Sequence, residues 1–398
     1  MWPEVLLDSI ATRGSGHTPS KSRASYWGGP IKWLSLKDTF RLDRGEVRET
    51  TDSITKDGLD NSSAVMHTKG TVVLLRDAGI GKSAVLGINA AVSQHFMAWK
   101  CGASLDPWYL YFVLQSRKSE FERISNGSTI KTIGLDYFRQ LTIPLPPIDE
   151  QLRLAQALRD ADDLISAIET LIRKKRDLRR GTMQQLLTGT TRLPGFTETW
   201  TVRKIGDFCQ VKSGGTPSTG IARYWGGSVR WMNSGEIHLK RVQEVQGRIT
   251  VDGLRESPTQ LLPEGTVLMA LAGQGKTRGT VAISRVALST NQSIAGILPS
   301  PEHDSDFLYY NLDARYEELR GESSGDGGRG GLNLTIIKNL EIDLPSLSEQ
   351  KAIATVLSDS DDEIDVFTLR LIKARDIRQG MMQELISSRI RILAEAGA

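Results

Sequence analysis

Residues 18–33 of this chain return as residues 216–231. Thr18-Pro19-Ser20, Ala24, Tyr26-Trp27-Gly28-Gly29 and Trp33 recur as Thr216-Pro217-Ser218, Ala222, Tyr224-Trp225-Gly226-Gly227 and Trp231, nine identities in sixteen positions at a constant offset of 198. Such a repeat has to be recognised first, because it decides how many folding units the chain contains. Asp57-Gly58-Leu59 matches Asp252-Gly253-Leu254, Gly70-Thr71-Val72 matches Gly265-Thr266-Val267, Gly81-Lys82 matches Gly275-Lys276 and Gln94 matches Gln292, with the offset drifting as loops change length. Leu145-Pro146 and Glu150-Gln151 then match Leu344-Pro345 and Glu349-Gln350 at an offset of 199. Two copies of one unit thus account for nearly all of the 398 residues.

Each copy has two parts. The first, residues 1–147 and again 200–346, is rich in Gly, Trp and short β-branched runs such as Gly70 to Leu75 and Gly265 to Leu271, and reads as short strands joined by loops. Its last third, Pro107 to Arg123 and Asp304 to Arg320, carries helical spacing, so the class is α+β. The second part, 148–187 and 347–388, has helical periodicity and a seam of period 3.5. Stepping by fours and threes from Leu154 to Leu186 meets seven apolar residues in ten, and the equivalent path from Ile353 to Leu385 meets eight. Pro146-Pro147 and Pro345 stop the strand-rich part and open the helix. Residues 188–199 form a linker and 389–398 a tail. The order domain, helix, domain, helix predicts an antiparallel two-helix coiled coil with an approximate two-fold axis and one globular domain at each end.

The residues offer little catalytic chemistry. Gly81-Lys82-Ser83 resembles the end of a phosphate-binding loop, but Arg76 stands where the pattern needs its first Gly, and Ala84 to Ile88 reads as a strand. The five histidines, His17, His67, His95, His238 and His303, lack metal-ligand spacing, and none is repeated in the other half. No Gly-x-Gly-x-x-Gly opens a βαβ unit, since the glycine-dense stretch Gly325 to Gly331 precedes Leu332-Asn333-Leu334 rather than following a strand. Fifty Lys and Arg against 47 Asp and Glu leave +3, so a nucleic-acid surface has to come from local charge. Two cysteines, Cys101 and Cys209, fit a reducing compartment, and no apolar run is long enough to span a membrane, so a cytoplasmic protein is expected.

A binding protein is therefore expected rather than an enzyme. The paired Trp residues read as core anchors beside tight turns more readily than as base-stacking platforms. Contact candidates on the flanking loops are Lys21, Arg23 and Lys37 in the first copy and Arg223, Asn233 and Glu236 in the second. Arg76, Lys82, Lys131, Lys276, Arg278 and Arg329 lie beside Gly-rich turns, where a long cation can reach a phosphate or a guanine edge. On the first helix, Arg173-Lys174-Lys175-Arg176 with Arg179-Arg180 is the densest basic run, either a solvated face or a strip facing phosphates.

Thr-Pro-Ser followed by Tyr-Trp-Gly-Gly and Trp, the Gly-Lys turn, Leu141 to Gln151, its echo Leu340 to Gln350, and the helix after each resemble the specificity subunit of type I restriction-modification enzymes. The resemblance covers essentially the whole chain and is specific in order and duplication. It departs at Leu193-Pro194-Gly195-Phe196 ahead of Trp200, which has no equivalent before Trp2. It implies a non-catalytic protein binding double-stranded DNA, with two target recognition domains that each read half of a bipartite site, and helices that dock two methyltransferase subunits. S-adenosylmethionine would belong to those partners, with no cofactor in this chain, and ATP-driven translocase-nuclease subunits can join them. The rivals, a stand-alone nuclease or methyltransferase and a purely structural coiled-coil scaffold, would need respectively a cofactor or carboxylate motif and no divergent loop-rich domains.

Overall fold

A computed structural model describes residues 2–125, 131–273, 277–321 and 331–386. The chain divides into two compact units, Met1–Thr170 with Leu369–Ala398, and Leu171–Thr368. Both divisions fall inside long helices, Ile148–Leu187 and Leu347–Ile386.

In the first unit a five-stranded sheet runs in the order Ala11–Ser15, Phe96–Cys101, Val72–Leu75, Ser83–Leu86, Glu46–Val47. Its pairs are antiparallel except the last, which is parallel. Val72–Leu75 is apolar at every position because both faces of the sheet are covered. Val72 and Leu74 join one core with the helix Pro107–Ser116, while Val73 and Leu75 point the other way into a core with Leu34, Leu42 and Phe96. That helix begins at Asp106, whose side chain accepts from Tyr109 N–H at 2.8 Å, followed by Pro107 in the first turn.

The second unit repeats this plan: Val211–Ser213, Ile294–Ile297, Val267–Ala270, Val281–Ser284, Arg241–Val242, in that order. Asp304 caps the matching helix by accepting from Phe307 N–H at 2.9 Å.

The Glu-Gln pair at each long helix start joins helix to domain. Gln151 is fully buried; its Nε2 donates to Ser104 O at 2.9 Å and Pro146 O at 2.8 Å, and its Oε1 accepts from Asp106 N–H at 2.9 Å. Gln350 donates to Pro345 O and accepts from Asp304 N–H, both at 2.9 Å. Before each Gln, Glu150 accepts from the Trp2 indole and Glu349 from the Trp200 indole, both at 3.2 Å. Glu349 additionally binds Arg192 from the linker, through two contacts of 2.6 Å. The linker ahead of the second copy therefore reinforces the same joint.

Within each unit the long helices meet side by side. In the first, Arg378 grips Asp162 through Nε at 2.8 Å and a second nitrogen at 3.3 Å, and Arg375 reaches Glu169 at 2.5 Å. In the second, Arg179 grips Asp361 the same way and Lys175 meets Glu363 at 2.7 Å. Partner numbers fall as residue numbers rise, so the paired segments run in opposite directions within each unit. Arg179 and Arg378, like Asp162 and Asp361, are repeat-equivalent at offset 199. The charged seam positions Lys175, Arg179 and Arg378 are thus cross-helix ion pairs.

Candidate nucleic-acid interface

The loop that opens each copy is held by its own tryptophans. Trp33 Nε1 donates to His17 O at 3.1 Å and Trp27 Nε1 to Ser20 O at 3.1 Å. Trp231 and Trp225 do the same to Gly215 O at 2.9 Å and Ser218 O at 3.2 Å. In each pair the rings meet edge to face, with centroids 5.0 and 5.1 Å apart. Gly28 and Gly226 take φ of +77° and +79°, and a Cβ on Gly29 or Gly227 would lie 2.5 Å from the neighbouring strand's backbone. The glycines therefore let the strand turn sharply against its neighbour. A second clip ties Thr18 Oγ1 to Gln94 Oε1 at 2.6 Å and Thr216 Oγ1 to Gln292 Oε1 at 2.5 Å.

Two concavities of the first unit gather the lysines singled out in the sequence, the first of them on this frame. One, of about 570 Å³, is walled by Trp27 and Trp33, carries Lys21 and Lys37 and is floored by Gln94 and His95. The other, of about 680 Å³, gathers Lys82, Lys118 and Lys131 beside the Ala78-Gly79 turn. Lys37 pairs with Asp52 at 2.9 Å and Lys118 with Asp43 at 2.8 Å. Ser83–Leu86 is a strand, so the Gly81-Lys82 turn opens no helix and lacks the architecture of a nucleotide loop.

The remaining candidates are dispersed. Arg23 is exposed and donates to Tyr26 Oη at 2.7 Å, Arg76 is half-buried, and Arg223 pairs with Glu256 at 3.0 Å. Arg278 sits half-buried in the turn before Val281–Ser284. Lys276 and Arg329 lie outside the described residues. Asn233 and Glu236 form a capping box: the Asn233 side chain accepts from Gly235 N–H at 2.8 Å, and buried Glu236 accepts from Asn233 N–H at 3.1 Å and Gln246 N–H at 2.8 Å. These two hold their own loop, and Ser35 with Asp38 builds the same box in the first copy. Of the basic helix run, Lys175 and Arg179 are engaged with the other helix.

Sequence reasoning missed a group beside the first cavity. His95 Nδ1 lies 2.6 Å from Asp77 Oδ1, and its Nε2 lies 3.4 Å from Gln94 Nε2. The available signal was the Gln94–Gln292 match, which marks the threonine-clipped glutamine of both copies.

Buried Cys209 lies 3.4 Å from His303, but burial pushes its thiol up to about 12, so it stays protonated and poorly nucleophilic at neutral pH. No group of three His, Cys, Asp or Glu side chains among the described residues could hold a metal ion. No helix among them is long and apolar enough to cross a membrane.

The model of the type I restriction modification DNA specificity domain matches residues 1–175 and 197–373, once for each copy of the repeat. The chain belongs to this family. It is a sequence-specific DNA-binding specificity subunit of the type I restriction-modification kind, non-catalytic in itself. It is 35% identical over 173 residues to the type I restriction enzyme MjaIX specificity subunit of Methanocaldococcus jannaschii, an alignment spanning 42% of this chain and 39% of the relative. Against that organism's MjaVIII specificity subunit it is 24% identical over 305 residues, 72% of this chain and 71% of the relative. In fold it is similar to the crystal structure of a type I restriction-modification S subunit from M. genitalium, with a TM-score of 0.62, 16% identity and coverage of 97% and 96% of the two chains. The type I specificity subunit is thus an α+β chain whose two domains are linked by long helices.

Proposed function

We propose that residues 1–147 and 200–346 are two target recognition domains, each reading one half of a bipartite site in double-stranded DNA. The long helices, paired as an antiparallel coiled coil about an approximate two-fold axis, hold the domains at opposite ends and dock two methyltransferase subunits. One observation carries this reading: the two copies share a loop frame down to its tryptophan and Thr–Gln clips, yet differ in the side chains set on it. A common frame with private side chains is what two readers of different sequences require. The repeat-equivalent pairs Arg378–Asp162 and Arg179–Asp361 support the two-fold relation. Lys21, Arg23, Lys37, Arg76, Lys82, Lys131, Arg223, Asn233, Glu236, Lys276, Arg278 and Arg329 supply phosphate and base contacts.

S-adenosylmethionine and the adenine-methylating centre belong to the partners, translocase-nuclease subunits complete a restriction complex, and the assembly works in the cytoplasm. Exchanging residues 1–147 for those of a relative and mapping methylated sites tests the reading. One half-site is expected to change while the other stays; a simultaneous change in both would refute it. The chain alone is expected to leave DNA unmethylated until its methyltransferase partner is added.

A further inference from the structure

The floor of the first cavity differs between the copies while its backbone does not. Arg76 N–H donates to His95 O at 3.0 Å and Ile133 N–H to Arg76 O at 2.9 Å; in the second unit Leu271 N–H donates to Ser293 O at 2.8 Å and Leu332 N–H to Leu271 O at 2.9 Å. On this shared backbone Arg76, Asp77 and His95 are replaced by Leu271, Ala272 and Ser293. The His–Asp pair is therefore a device private to the first unit.

The pair fixes one side chain. A carboxylate only accepts, so His95 donates its Nδ1–H to Asp77 at 2.6 Å. Its Nε2 then accepts from Gln94 Nε2 at 3.4 Å, at the long end for such a bond. The opposite end of the same amide, Oε1, accepts from Thr18 at 2.6 Å. Gln94 is thereby held at both ends, with its oxygen engaged and one N–H left over. Exposed Lys21 lines the same cavity and also only donates. A glutamine free to use both ends suits adenine, which offers an acceptor and a donor in the major groove. Guanine offers two acceptors, N7 and O6.

We infer that this cavity reads a guanine through Gln94 Nε2 and Lys21, and that His95 and Asp77 are positioning residues that hold the Gln94 amide as a donor. This rests on the domain-by-domain reading proposed above. In the second unit Gln292 keeps its threonine clip, but Ser293 and Ala272 stand where His95 and Asp77 do, so the His–Asp hold is missing.

The test uses the full chain assembled with its methyltransferase partner. Methylation mapping gives the bipartite site, and exchange of residues 1–147 identifies the half read by the first domain. That half is expected to contain a guanine whose replacement by adenine or by 7-deazaguanine, which lacks N7, lowers methylation at least about fivefold, the low end for one good bidentate base contact. His95→Ser, which copies the second unit, and Asp77→Ala are expected to erase most of that discrimination while the other half-site is read as before. Gln94→Glu, at an exposed position that leaves the core intact, should turn the preference against guanine. Absence of a sensitive guanine from that half, or wild-type discrimination in folded His95→Ser, Asp77→Ala and Gln94→Glu chains, would overturn the assignment. Failure of the wild-type complex to methylate any bipartite site would instead bring down the reading on which it rests.

Discussion

Replacing Gln151 by Ala should loosen the first domain from its helix and leave the second untouched. The side chain is fully buried and makes three hydrogen bonds to main-chain groups: Ser104 O, Pro146 O and Asp106 N–H. At about 1 kcal/mol net per bond, with a further penalty of about 1 kcal/mol or more for stranded partners that water cannot reach, the loss should be about 3–5 kcal/mol. Gln350 makes two such bonds, so Gln350→Ala should cost the second unit about 1 kcal/mol less than Gln151→Ala costs the first. A single melting curve would blend the two units, so the assay is native-state hydrogen exchange read on core amides of Val72–Leu75 and Val267–Ala270 separately. A loss below about 1 kcal/mol for Gln151→Ala, or equal deprotection of both strands, would show that the amide does not join domain to helix.

In a double-mutant cycle on Arg378 and Asp162, read by the same exchange method, the coupling should be about 1 kcal/mol, since the pair is bidentate but partly exposed. Burial holds the imidazoles of His67 and His303 below their ordinary 6.5, so the unfolded chain binds more protons than the folded one just below that pH. Stability should be whole above pH 6.5 and fall as pH drops beneath it; His303→Gln should flatten that fall in the second unit only, and an unchanged pH dependence of exchange at the Val267–Ala270 amides would refute it. Four residues inserted after Ile172 add ~6 Å of helix. At ~3.4 Å per base pair, methylation mapping should show a spacer longer by one or two base pairs with both half-sites unchanged.

The duplication was legible because identical letters at a fixed offset need no geometry to be seen. The two long helices were legible too, from the apolar positions of the 3.5-residue seam. Lys175, Arg179 and Arg378 read as interruptions of that seam, since the acids that answer them lie far away in sequence and only chain pairing brings them together. Asn233 and Glu236 carried a capping-box spacing of three, and that box forms; their side chains brace the loop on which they were read as contacts. His95 was passed over because its counterpart is Ser293. Difference between copies marks a private function, whereas identity marked the frame. No sequence pattern gives the Asp77–His95–Gln94 chain, which depends on Arg76 and His95 meeting just beyond the paired ends of Val72–Leu75 and Phe96–Cys101.

The two units are not assembled from the chain in the same way. The second is one uninterrupted stretch, Leu171–Thr368, but the first draws Met382, Leu385 and Ile386 into its core alongside Trp2, Leu154 and Leu158. On the ribosome, the domain begun first is therefore completed last. It waits with an uncovered apolar patch while the whole of its twin is translated and closes. A premature stop before Met382 would leave the younger unit intact and cripple the elder, a polarity opposite to the usual order of folding during synthesis.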